Sequence, residues 1–186
     1  MCIRDRPVGV LQRDQHERAL RLPPGTLLDV LVEDQGRVNY GPRLGEPKGL
    51  IGPARLDGRE LTGWQVLPLH LDAAVAALTR SAGAAPAADP GSAAGALAGP
   101  VLAHARFSLD HPVDLHLDTS AWGKGVAWVN GFALGRYWSR GPQHTLYVPG
   151  EQLRAGDNDL VVLETGVAPD ARVCFVPGPD LGPTED

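Results

Sequence analysis

Residues Ala121–Gly150 read AWGKGVAWVNGFALGRYWSRGPQHTLYVPG, and this stretch decides the fold class. It holds three of the four Trp, two of the three Tyr and six of the 23 Gly. Branched and aromatic residues come in short runs, broken by Gly, Pro and Asn, which is the pattern of strands joined by tight turns. Gly125–Val129 predicts a strand. It enters a turn at Asn130-Gly131, the pair best able to take positive φ at both central hairpin positions. Thr145–Val148 predicts a second strand, closed by Pro149-Gly150. Nothing in the stretch pairs a nucleophile with a base.

The pattern extends outward. Ala103–Leu109 and Val113–Leu117 alternate on the near side, and Leu160–Leu163 and Arg172–Val176 are short apolar runs on the far side. Strands this short and evenly spaced predict a β-sandwich over residues 101–177, with a tail at 178–186. Upstream, residues 73–100 are different: 13 of 28 are Ala, and most of the rest are Gly, Pro or Ser. This is linker composition, with Asp72–Arg80 predicting two turns of helix capped by Asp72. Before it, residues 7–72 again read as strands: Val8–Gln12, Arg18–Leu22, Leu27–Glu33 and Trp64–Leu71. Asp57-Gly58 is a hairpin turn between Ala54–Leu56 and Arg59–Thr62, and Gly36–Gly52 is loop.

The two halves are self-similar. Leu134–Tyr137, Thr145–Gly150 and Asp159–Glu164 have weaker counterparts, in the same order, at Val8–Leu11, Ala19–Gly25 and Asp29–Glu33. The first half has no counterpart of the strand before Asn130-Gly131. The expectation is therefore an all-β chain of two small sandwich modules in tandem, the first truncated at its N-terminus. Its missing strands would leave a sheet edge open and an apolar face uncovered.

Bulk composition excludes several classes. The chain has 186 residues, 43% hydrophobic and 21% charged, with a net charge of −5. That suits a packed core, and no Lys/Arg cluster tracks a phosphate backbone, so nucleic acid is not a predicted partner. No run of apolar residues is long enough to span a membrane. The leader MCIRDR, residues 1–6, resembles translated sequencing adapter and reads as non-native, which leaves export undetermined. The Ala/Gly/Pro/Arg bias suits a GC-rich bacterial gene, with the cytoplasm as the default compartment. Two Cys make no disulfide framework, and Cys174, in VCFV, reads as a small buried hydrophobe.

Certain segments resemble glycoside hydrolase family 35, the β-galactosidases. Leu31–Tyr40 (LVEDQGRVNY), Lys48–Gly52 and Leu61–Trp64 resemble its first small β domain. Trp122–Gly125, Trp128–Gly131, Leu134–Trp138 and Gly141–Gln143 resemble its last. The resemblance implies galactose-binding-like jelly rolls that follow a catalytic (β/α)₈ barrel. It also implies a retaining mechanism with two Glu on that barrel, their carboxyls about 5–5.5 Å apart. A barrel takes about 250 residues. No Glu here matches its motifs, so no catalytic residue is carried over. The missing barrel becomes the expected partner, galactosides a second one, and the parent a hydrolase of terminal β-galactosyl groups. The alternatives are a free-standing carbohydrate-binding module and a purely structural or interaction domain.

Trp122, Trp128, Tyr137 and Trp138 are candidates for a sugar-stacking platform, with core packing the preferred reading and Trp138 the most exposed. Arg136 and Arg140 flank the aromatic pair and suit sugar hydroxyls or barrel carboxylates, against a plain solvated role. The resemblance implies that Asn39 and Tyr40 lean toward a barrel mouth. Glycines at 123, 125, 131, 135 and 141 read as turn and close-packing positions rather than a phosphate loop. His104, His111 and His116 lie close in sequence but form no tetrahedral set, and they read as exposed. No metal or cofactor is expected.

Overall fold

The computed structural model describes residues 2–3, 6–12, 15–25, 27–33, 36–82 and 95–183. Among the described residues the fold is all-β with one α-helix, and the chain divides into two compact units, Met1–Pro68 and Leu69–Asp186.

In the first unit, β1 (Cys2–Ile3) pairs with β2 (Arg6–Pro7), and β3 (Arg55–Leu56) with β4 (Arg59–Glu60). The second ribbon turns at Asp57-Gly58, whose φ values of 48° and 81° are the positive pair that the sequence predicts. The expected strands Val8–Gln12, Arg18–Leu22, Leu27–Glu33 and Trp64–Leu71 do not form; only an isolated bridge at Asp29 remains. The physical reason is that β-branched residues favour an extended chain only where neighbouring strands supply ladder bonds and packing. Without those, Leu31 and Val32 are exposed, as are Leu50, Ile51, Val66 and Leu67.

The second unit carries the sandwich. Its four-stranded antiparallel sheet has the order β6-β11-β8-β9, from β6 (Val101–Leu109), β8 (Lys124–Val129), β9 (Phe132–Trp138) and β11 (Gly156–Glu164). The three-stranded sheet runs β10-β7-β13, from β7 (Leu115–Asp118), β10 (Thr145–Val148) and β13 (Cys174–Val176). A short ribbon pairs β5 (Leu97–Ala98) with β12 (Val167–Ala168). Alternation sorts the side chains. Ala127, Val129, Leu160 and Val162 meet Leu117, Leu146 and Val148 in the core between the sheets.

Parity also corrects the reading of Cys174, which is exposed. Phe175 takes the inward position opposite Leu117 and packs on Phe107, ring centroids 4.8 Å apart, so its neighbour must point outward.

The outer face of the four-stranded sheet is apolar too, because α1 (Leu71–Ala82) lies on it. Leu71, Val75 and Leu78 form one stripe at helical spacing and pack with Trp128, Val161, Leu102, Val126 and Leu163. Burying one such large side chain is worth about 1.5–3 kcal/mol. Asp72 is not the cap that the sequence suggested: it sits in the first turn, and its carboxylate accepts the Trp128 indole N–H at 3.2 Å. The helix and β5 both fall within the Ala-rich stretch, so residues 73–100 are not linker throughout. The 83–94 part of that reading lies outside the described residues.

Candidate functional site

The second unit is organised around a buried acid. On β11, Asn158, Leu160, Val162 and Glu164 share the inward parity, and Glu164 is fully buried. A bare carboxylate there is untenable, so donors surround it. Its Oε1 accepts the amides of Lys124 (2.9 Å) and Gly166 (2.7 Å). Its Oε2 accepts the Gly123 amide (3.0 Å) and the Tyr137 hydroxyl (3.1 Å). Burial first, and then the Glu164 charge, push the Tyr137 phenol well above its ordinary value. All of the carboxylate's lone pairs are engaged, so Glu164 is an internal tie rather than an available acid or base.

The glycines of the Trp122–Gly125 motif exist for this tie. A Cβ on Gly125 would lie 1.7 Å from the Leu163 carbonyl oxygen, and one on Gly123 would lie 2.7 Å from Glu164 Oε1. Trp122 closes the assembly: it is buried, it packs edge-on to Tyr137 at 5.3 Å, and its indole N–H donates to the Arg172 carbonyl. Trp122, Trp128 and Tyr137 are therefore all internal, at 5%, 3% and 1% exposure. Trp122, the expected sugar contact, is thus nearly enclosed, although it is among the residues that line both hollows described below.

A second tie fixes the hairpin. Asn130 and Gly131 have φ of 49° and 85°. The Asn130 side chain donates to the Gln152 carbonyl (2.7 Å) and to Asn158 Oδ1 (2.8 Å), and accepts the Asp159 amide (3.0 Å). Asn158, fully buried, donates to the carbonyls of Arg154 and Gly156 and accepts the Arg154 amide. Every hydrogen-bonding position of Asn158 is thereby filled.

The remaining sequence candidates are on surfaces. Trp138 is half-buried, with Lys124 Nζ at 4.7 Å and Arg140 Cζ at 5.2 Å over its ring. The ring is already engaged by cations. Arg136 is exposed on the same strand. In the first unit, Asn39 is exposed and Tyr40 is 89% exposed, beside Gly41 with φ of 87°. His104 is not a free surface imidazole: its Nε2 lies 2.8 Å from Asp159, which Arg106 also approaches at 3.5 Å. Among the described residues no three His, Cys, Asp or Glu side chains are placed to hold a metal ion.

Two hollows open on the second unit. One, about 230 Å³, is walled by Leu97, Ala103, Ala105, Leu160, Val162 and Trp122, with Glu164 at its base. It is apolar, and its one carboxylate is already satisfied. The other, about 200 Å³, holds Asp118 and Asp170, the latter paired with Arg172 at 2.9 Å. Sequence reasoning missed Glu164. The signal was present, since Leu160 and Val162 are inward-facing residues and Glu164 shares their parity.

Family comparisons agree with this architecture. A family described as "Beta-galactosidase, first all-beta domain" matches residues 1–70, and one described as "Beta-galactosidase, galactose-binding domain" matches residues 100–158. The chain is 40% identical over 147 residues to a β-galactosidase of Xanthomonas manihotis, covering 77% of this chain and 23% of that protein. It is 38% identical over 191 residues to a Macaca fascicularis β-galactosidase (94% and 27%), and 37% identical over 199 residues to a human one (95% and 29%). The chain thus spans about a quarter of the length of the curated relatives it matches.

Proposed function

Since the chain belongs with the non-catalytic β domains of the glycoside hydrolase family 35 β-galactosidases, we propose that it is the bracing part of such an enzyme. The parent removes terminal β-galactosyl groups, and these modules support its barrel and shape the rim of its substrate pocket. The observation that carries this reading is the order of the two family matches, the all-β domain before the galactose-binding domain, within relatives that cover nearly the whole chain.

Surface chemistry supports it. The first unit exposes the apolar pairs Leu31-Val32, Leu50-Ile51 and Val66-Leu67, side chains suited to burial against a partner. These residues suit the barrel as a partner. Asn39 and Tyr40, on an exposed loop, are the rim candidates, since a tyrosine with nine-tenths of its surface free is available to line a neighbouring pocket. Arg136 and Arg140 beside Trp138 suit carboxylates of the same partner.

Glu164, the buried acid of the described residues, has four donors and no second carboxyl among the residues around its hollow. Retaining hydrolysis needs two. The purified chain should therefore leave a chromogenic β-galactoside intact from acid to alkaline pH. Measurable turnover that survives removal of contaminating enzyme would overturn the bracing role.

A further inference from the structure

The pair that turns β8 into β9 is also a site of covalent chemistry. The chain has three Asn, and only Asn130 precedes a Gly. In such a pair the backbone nitrogen of the second residue is a nucleophile for the side chain of the first. The Gly131 nitrogen gives its proton to solvent base and bonds to Asn130 Cγ. The Cγ–Nδ2 bond breaks, and ammonia leaves. Water then opens the resulting succinimide at either carbonyl, which leaves an aspartate or an isoaspartate at position 130. Tyr40 and Asp159, which follow the other two Asn, hinder this attack with their side chains; glycine does not. Gly131 is exposed, and a Cβ built on it would meet nothing within 4 Å, so solvent reaches the turn.

The fold withholds Cγ from that nitrogen. Asn130 Nδ2 donates to the Gln152 carbonyl at 2.7 Å and to Asn158 Oδ1 at 2.8 Å, and Oδ1 accepts the Asp159 amide at 3.0 Å. The Asn130 backbone amide donates to the Asp159 carbonyl at 2.8 Å. Bringing Cγ onto the Gly131 nitrogen means rotating the side chain off all three partners. Reaction therefore waits on opening of the hairpin.

The product does not fit the site it came from. An aspartate puts a carboxylate oxygen where Nδ2 stood, against two acceptors, the Gln152 carbonyl and Asn158 Oδ1. Asn158 is fully buried and cannot turn its amide round to help, because its Nδ2 holds the Arg154 and Gly156 carbonyls and its Oδ1 holds the Arg154 amide. An isoaspartate lengthens the backbone by one methylene and takes β9 out of register with β8. We propose that Asn130-Gly131 is a fold-protected deamidation site: shielded in the folded chain, reactive in the open one, and one-way, because the acid cannot be housed again. Unfolding followed by this step becomes irreversible. The inference rests on the bonds of Asn130 and is independent of the bracing role.

The test follows the tryptic peptide Gly125–Arg136 by mass spectrometry while the full chain ages in mildly alkaline buffer, with and without concentrated urea. The same peptide, made synthetically, ages beside it. Amide loss in urea should match the free peptide, and in native buffer it should be slower by about tenfold or more. After the urea is diluted out, the fraction that regains native Trp fluorescence should be depleted in acid at position 130. Asn130→Asp, the product made directly, should unfold at lower urea than wild type or fail to fold. Equal rates in native buffer and in urea would overturn the protection. Refolded material that carries the acid in the same share as the whole sample, or an Asn130→Asp chain as stable as wild type, would overturn the one-way step.

Discussion

Replacing Glu164 by Gln removes one negative oxygen from a site where both oxygens are used. Four donors converge on the carboxylate, two on each oxygen. A glutamine amide can keep its carbonyl toward Lys124 and Gly166, which turns its NH₂ toward Gly123 and Tyr137. Tyr137 can adapt, because its hydroxyl already lies 3.2 Å from the Leu163 carbonyl and can donate there. The Gly123 amide cannot rotate away. It becomes a buried unsatisfied donor, at a cost of about 1–3 kcal/mol, and the two retained bonds lose their charge assistance, about 0.5–1 kcal/mol each. The sum is a destabilisation of about 3 kcal/mol. Tyr137→Phe removes one donor and leaves the carboxylate three amides, so its cost should be lower, about 1–2 kcal/mol. Urea unfolding followed by Trp fluorescence reads both, since Trp122 packs on Tyr137. A Glu164→Gln protein as stable as wild type, or less perturbed than Tyr137→Phe, would refute the idea that the acid is a structural tie.

Other outcomes follow from the same geometry. Gly131→Ala, at φ of 85°, should destabilise by about 1–2 kcal/mol, read in the same urea assay. Val75→Asp should strip α1 from the sheet and lower the melting temperature sharply, because it places a charge against Trp128 and Val161; an unchanged melt would show that the helix is not integral. The raised Tyr137 phenol binds its proton more tightly in the folded chain. Its stabilisation is thus present below the ordinary tyrosine value and lost as pH rises through and beyond it. Ultraviolet titration should find Tyr137 silent until alkaline unfolding, and Tyr137→Phe should flatten the alkaline limb. Asp114 is held below the ordinary carboxylate value, first by the Gly150 amide and then by the Tyr147 hydroxyl. Its contribution is present above the unfolded value and fades as pH falls toward the folded one, so Asp114→Asn should shallow the acid limb of the stability profile.

What the sequence disclosed, and what it hid, divides along range of interaction. Asn130-Gly131 and Asp57-Gly58 were legible because a turn's φ requirement is local. Most strands from Val101 onward were legible because each has partners, so intrinsic preference and outcome coincide; β9 and the short β12 were not named. Leu27–Glu33 has the stronger local signal and no ladder, since β preference is expressed through neighbours. The helix was visible but misplaced in role: Ala-rich composition suggested linker, while the stripe Leu71, Val75, Leu78 is what buries the sheet. Cys174 was misread because an apolar run hides its parity until the register with Leu117 is known. Among the site candidates, Trp122 proved internal and Trp138 engaged by cations, whereas Glu164 went unremarked. Composition identifies the aromatic residues but not which side of a sheet each one faces.

The most direct test of the bracing role is complementation. The Xanthomonas manihotis β-galactosidase, deprived of the segment that matches this chain, would be mixed with the purified chain and assayed for galactoside hydrolysis and for co-elution. The account predicts a stable complex and activity above that of either piece alone. Separate elution with no gain in activity, from two folded pieces, would contradict it.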